Sequence, residues 1–404
     1  MHGHAIAARA TAASGLLLVA AIATLLAAGC QQTTRPNMAD SVPKPPRRSG
    51  YVAEQHYATA SVREAWSLGG EPVEVTLLRP SGNGPFPLVI YLPGLGEPSN
   101  AGAAWRQAWA QAGYAVLAFQ PSSQGEAIWA SAQARRGDFA ELAKEQFSRR
   151  ALTKRLAVLR DLLDELDRRR NGDALAGVDT ARLALAGFEI GAQTVMAAAG
   201  ETGFDIEPFA LPSAVKCVIA FSPYADFAGA GFERRFATIH VPVLSVTSMD
   251  DADPYGLVTP PAIRRAPFEH MPPGQKYLLS LVNAPHALIA GKEAPSGDDG
   301  ALGQDDSPRT KSRDGTNPGS GTGRRKSGGG SQASRRNGGN DSSGIHPSSS
   351  RAVTSAAWTA ELGQAQSVTT AYLDADLKHD EVAREWLDKD ARRWLGDEAD
   401  LVVK

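Results

Sequence analysis

Several short stretches of this 404-residue chain carry the residue types and spacing of an acyl-transfer site, and one carries an unexpected side chain. Gly187-Phe188-Glu189-Ile190-Gly191 follows the apolar run 182–186 and precedes the small-residue run 192–199, which Gly200 closes. Strand, sharp turn and helix form the setting of a nucleophile elbow, G-x-S-x-G, whose outer glycines let strand and helix close around a strained central residue. Here that residue is Glu189 and not a serine. The pentapeptide by itself reads as a plain strand-to-helix turn; the downstream residues favour the elbow.

In such sites the order along the chain is nucleophile, acid, histidine, with the last two on loops after later strands. Residues 241–247 form a β-rich run that ends in Ser248-Met249-Asp250-Asp251-Ala252-Asp253-Pro254. A carboxylate there is placed to orient an imidazole. Asp251 is the preferred acid, Asp250 and Asp253 are the alternative registers, and an acidic helix cap is the plain alternative. Residues 276–282 form the next strand and lead into Asn283-Ala284-Pro285-His286, so His286 stands where the base belongs. His56, His240, His270 and His379 lack that setting. Upstream, 87–92 runs into Pro93-Gly94-Leu95-Gly96, either a simple Pro-Gly turn or one that points backbone N–H groups into a site. Leu95 and Ile190 are the expected oxyanion donors.

These residues must be positioned by a sheet. Strand-like runs at 73–78, 88–92, 115–119, 183–186, 217–221, 241–246 and 277–282 alternate with helical patterns. The alternation predicts an α/β fold, with a mostly parallel central sheet and helices on both faces. Leu156, Leu159, Leu163 and Leu166 recur at steps of three and four, with Arg155, Asp161, Glu165 and Arg168 between them, a stripe suited to packing on the sheet. A chain of this length with 42% hydrophobic residues can bury one large core. Residues 51–292 and 353–404 are expected to form a single domain.

With these residues on the page, the chain resembles the dienelactone hydrolase-like branch of the α/β-hydrolase superfamily, the group that includes bacterial relatives of platelet-activating-factor acetylhydrolase. The likeness runs from about Tyr51 to the C-terminus. It rests on 91–96, on Glu145-Gln146-Phe147-Ser148, on Leu185-Ala186-Gly187 with Gly191-Ala192-Gln193-Thr194, on Asp253-Pro254-Tyr255-Gly256 and on Pro285-His286-Ala287. The resemblance implies the α/β-hydrolase fold and hydrolysis of esters or related acyl compounds by a serine or cysteine nucleophile, an acid and a histidine. No cofactor and no metal site are expected. Asp251 and His286 match that pattern. Glu189 departs from it.

The departure matters because serine attacks as a hydroxyl deprotonated while it reacts, whereas a glutamate is a weak, already ionised nucleophile on a longer side chain. Ordinary ester hydrolysis should be severely impaired. One reading is a degenerate site that binds a ligand without turnover, with Glu189 and His286 in a static ion pair. A second makes Glu189 a carboxylate nucleophile, as in the aspartate-elbow dehalogenases and epoxide hydrolases of that fold. A third makes it a general base on water. A surface residue on a shifted turn is the plain alternative.

The first 29 residues read as an address. Arg9, the apolar stretch 16–28 and Ala27-Ala28-Gly29-Cys30 resemble a bacterial lipoprotein signal, implying cleavage before Cys30 and lipidation of its thiol. Uncleaved anchoring or secretion is the alternative. Gln31 after the cysteine points to the outer membrane, facing the periplasm. Residues 30–50 suit a tether, and 293–352, rich in Gly, Ser, Asp and Arg, is expected to be a disordered insertion. Cys217, the other cysteine, lies in an apolar run and reads as a buried small hydrophobe. A formal net charge of −2 gives no case for nucleic-acid binding.

Overall fold

The computed structural model describes residues 49–170, 172–226, 231–294 and 354–404. The signal segment, Cys30, most of the tether and nearly all of the insertion lie outside the described residues.

Nine strands form one sheet: β1 (Thr59–Leu68), β2 (Glu71–Pro80), β3 (Phe86–Leu92), β4 (Ala115–Pro121), β5 (Val178–Phe188), β6 (Val215–Phe221), β7 (Val243–Ser248), β8 (Lys276–Leu281) and β9 (Ala399–Val403). Their order is β1-β2-β4-β3-β5-β6-β7-β8-β9. Pairing is parallel from β4 to β8 and antiparallel at β1–β2, β2–β4 and β8–β9, so the chain is α/β with a mostly parallel sheet. The seven strands expected from sequence are β2 to β8. The two edge strands were not legible: β1 is largely exposed and polar, and β9 is only five residues long. The turn between β1 and β2 explains the first of them. Gly69 and Gly70 both have positive φ, 57° and 81°, which a two-residue hairpin loop needs and side-chain-bearing residues resist.

The interior of the sheet is apolar on both faces, as a parallel sheet covered by helices requires. β3 is buried along its whole length. Val89 and Tyr91 pack with Trp105 and Trp109 of the helix Ala103–Gln111 and Tyr372 of the helix Ser355–Leu377. Leu88, Ile90 and Leu92 pack with Leu152, Leu159 and Leu166 of the helix Arg149–Arg169 and Val195 of the helix Ile190–Ala198. On the long helix the buried stripe runs through Leu162, while Leu163 sits at its margin, a one-residue rotation from the expected face. The described residues on either side of 295–353 share one core, since Trp105 and Tyr372 belong to the same cluster.

The loops that leave β3, β5, β6, β7 and β8 all emerge at the carboxyl edge of the parallel strands. Open α/β sheets bind ligands at that edge.

Candidate active site

The elbow is built by two close approaches. A Cβ on Gly187 would lie 2.4 Å from the Gly191 carbonyl carbon, and one on Gly191 would lie 2.1 Å from the Leu92 carbonyl oxygen. Only glycine fits either place. Gly191→Ala is therefore expected to lower stability by roughly 1–3 kcal/mol through overpacking against backbone; an unchanged urea midpoint would contradict this. Between the two glycines Glu189 sits at φ 53°, ψ −106°, a region that disfavours any side chain and costs on the order of 1–3 kcal/mol. The neighbouring strand holds it there: the Glu189 N–H donates to the Phe221 carbonyl at 3.0 Å.

Asp251 and His286, the residues expected as acid and base, lie side by side. His286 Nδ1 lies 2.7 Å from Asp251 Oδ1, which leaves Nε2 as the nitrogen free for proton transfer. The other two carboxylates have different roles. Asp250 is exposed, and Asp253 caps its own loop by accepting from the N–H groups of Tyr255, Leu257 and Val258. Asp251 is fully buried. Burial alone would raise its pKa, but the Arg264 guanidinium, then His286 and the Ser222 hydroxyl, outweigh it and hold the group at about 2. It is thus ionised at ordinary pH, ready to stabilise an imidazolium.

Two of those partners had no sequence signal. Ser222, just past β6, has φ 47°, and its Oγ lies 2.8 Å from both Asp251 oxygens. Arg264, in the short turn Pro261–Arg265, is 1% exposed. Its Nε donates to the Asp251 carbonyl at 3.1 Å, and its Nη1 donates to the Ser222 carbonyl at 3.0 Å. One guanidinium therefore ties the loop after β6 to the loop after β7. Thr247 Oγ1 adds a bond to Asp251 Oδ2 at 2.8 Å.

Glu189 does something the sequence did not lead us to expect. It is 4% exposed, so it is no surface residue. Yet no ion pair or hydrogen bond joins it to His286 among the described residues; His286 is committed to Asp251, and its ring is tilted against Phe188 with centroids 4.8 Å apart. Instead, Glu189 Oε2 accepts from the Leu95 N–H at 3.2 Å. Leu95 is one of the two expected oxyanion donors. The other, Ile190, heads the elbow helix, where an N–H has no intrahelical acceptor.

The surroundings are apolar and acidic. Leu95, Ile128, Ile190, Tyr224 and Val258 form an apolar layer joined by Trp129, whose Nε1 donates to the Gly96 carbonyl at 3.1 Å. Burial first, and then the Asp253 and Glu97 carboxyl groups, push the Glu189 pKa well above the usual carboxylate range; the Leu95 N–H and Arg264 oppose this only in part. Burial also raises Glu97, whose Oε2 accepts from the Gly94 N–H at 2.8 Å. The remaining Glu189 oxygen, Oε1, is buried with no hydrogen-bond partner. An unpartnered oxygen in such a place favours the neutral acid.

Among the described residues, no group of three or more His, Cys, Asp or Glu side chains is placed to hold a metal ion. No described helix is long and apolar enough to cross a membrane. Cys217 is buried in β6 with a free thiol. A scan against protein-family models and a search of curated proteins both give no match.

Proposed function

We propose that this chain is a lipid-anchored cell-envelope protein of the α/β-hydrolase fold, in the dienelactone hydrolase-like branch, descended from serine esterases. Its site holds an ester-like small molecule without ordinary ester hydrolysis. The strand order supports the fold: an antiparallel pair precedes a parallel run, and candidate residues follow β3, β5, β7 and β8. The Asp251–His286 pair and the two elbow glycines support the descent.

The observation that carries the loss of hydrolysis is the bond from the Leu95 N–H to Glu189 Oε2. In acyl transfer that donor serves the oxygen on which negative charge develops, and removing one such donor costs about a hundred- to a thousandfold in rate. Here the elbow's own side chain uses it. A carboxylate nucleophile needs an ionised oxygen aimed at a substrate carbon, whereas this carboxyl is biased toward the neutral form and turned to the Leu95 turn. The static ion pair with His286 gives way to this arrangement within the same degenerate-site reading.

The test uses the protein on aryl acetates, epoxides and haloalkanes. No turnover above buffer is expected with any of them. Robust turnover that disappears in Glu189→Gln would establish a carboxylate-dependent enzyme instead. The anchor is tested separately: labelled fatty acid is expected in the wild type and absent from Cys30→Ala.

A further inference from the structure

A cavity lies at the start of the long helix Arg149–Arg169, and neither Asp251 nor His286 lines it. Its volume is about 250 Å³, far above the roughly 10–15 Å³ that one water needs. Three cations line it: Arg150 and Lys154, one helical turn apart, and Arg155. Two carboxylates, Glu71 and Glu145, complete its charged wall.

Arg155 is the informative member. It is 5% exposed, and its three hydrogen bonds all go to neutral acceptors: Thr194 Oγ1 at 2.8 Å, the Gln146 carbonyl at 2.6 Å and Gln193 Oε1. Among the described residues no carboxylate lies within ion-pairing distance of it, or of Arg150 or Lys154. A buried guanidinium stays charged, and burying a charge with no counter-charge is costly. Burial accordingly pulls its pKa down to about 9. Neither wall carboxylate pairs with the three cations: Glu145 accepts from Gln133 Nε2 at 3.0 Å, and Glu71 accepts from the hydroxyl of Ser123, another wall residue. The first turn of the helix, whose Ala151 N–H is already capped by the Ser148 hydroxyl, contributes Arg150 and Ala151 to the wall and adds the positive end of its dipole, which favours an anion.

We propose that this cavity is a binding site for a small phosphate-type dianion, inorganic phosphate or a phosphate monoester, held by Arg155, Lys154 and Arg150. The dianion supplies the counter-charge that Arg155 lacks within the fold. The site also reaches the elbow. A smaller cavity of about 20 Å³ shares Arg155 with the first and is lined by Ile190, Gly191 and Thr194. Arg155 bonds Gln193 and Thr194 on the elbow helix, so a bound anion would fix the side chain that braces that helix. The inference stands apart from the fate of Glu189, because no elbow carboxyl takes part in it.

Titration calorimetry on the full chain, at constant ionic strength set with chloride, tests it with inorganic phosphate and with glycerol 1-phosphate. Saturable binding of at least one is expected, with affinity at least tenfold weaker in Lys154→Glu and in Arg150→Glu. Both residues are exposed, so the variants should fold, and an unchanged thermal midpoint without ligand would verify that. Tighter binding of the ester than of phosphate would assign the site to a monoester; the reverse would assign it to free phosphate. Absence of saturable binding by either anion to the wild type, or binding undiminished in both variants, overturns the proposal and leaves Arg155 as a brace for the elbow helix.

Discussion

Glu189→Ser is expected to turn on hydrolysis of aryl acetates, raising kcat/KM on the order of a thousandfold above the wild type. On the proposed reading, the other parts of an acyl-transfer site are in place. His286 is oriented by a buried, ionised Asp251, and the elbow backbone is held at φ 53° by the glycines and by the bond to Phe221, none of which needs the glutamate side chain. Serine would put a hydroxyl at the apex and release the Leu95 N–H for the developing oxyanion. The gained activity should fall back to the wild-type background when Asp251→Asn is added, because the imidazole would lose its tautomer. A serine variant as inert as the wild type, yet folded, would mean that the apex and the base are not in register.

The second large effect is on stability. Glu189 is held above its ordinary pKa in the folded state, so the native protein keeps that proton to a higher pH than the unfolded chain does. A shift of this sign contributes stability that is complete below the ordinary glutamate range, near about 4.3, and is lost as pH rises through the folded value. The loss has a limiting slope of about 1.4 kcal/mol per pH unit for one proton. Glutamine has the shape of the neutral acid and does not titrate. Glu189→Gln should therefore match the wild type near pH 4 and become progressively more stable than it as pH rises. Urea melts at several pH values measure this directly; two parallel stability curves would show that the carboxyl titrates normally.

Much of the site was legible because its members sit at strand ends. Asp251, His286 and Leu95 each follow an apolar run whose strand character is plain, and the elbow glycines are required by backbone contacts that only a strand meeting a helix produces. What separates Asp250, Asp251 and Asp253 is three-dimensional: one is exposed, one is spent on loop N–H groups, and one meets the imidazole. Arg264 was invisible because its partners, Asp251 and the Ser222 carbonyl, are 13 and 42 residues away, and a lone arginine in a proline-bearing turn carries no pattern. The direction of the Glu189 side chain was equally hidden. Charge alone suggests a carboxylate facing a histidine, but Asp251 already satisfies that histidine. The Glu189 carboxyl takes the Leu95 N–H instead. At the periphery, β1 was missed because an edge strand with solvent on one side needs few apolar residues.

The account depends on a neutral carboxyl group resting on the Leu95 N–H at the apex of the elbow. Carbon-13 NMR of glutamate side-chain carboxyls, with the Glu189 signal assigned by its absence in Glu189→Gln, follows that group through a pH titration. The account predicts a resonance that stays in its protonated position well beyond the pH at which exposed glutamates have titrated, and a Leu95 amide signal that moves with it when it finally ionises. A Glu189 carboxyl that titrates alongside the exposed glutamates, with the Leu95 amide unmoved, would contradict it.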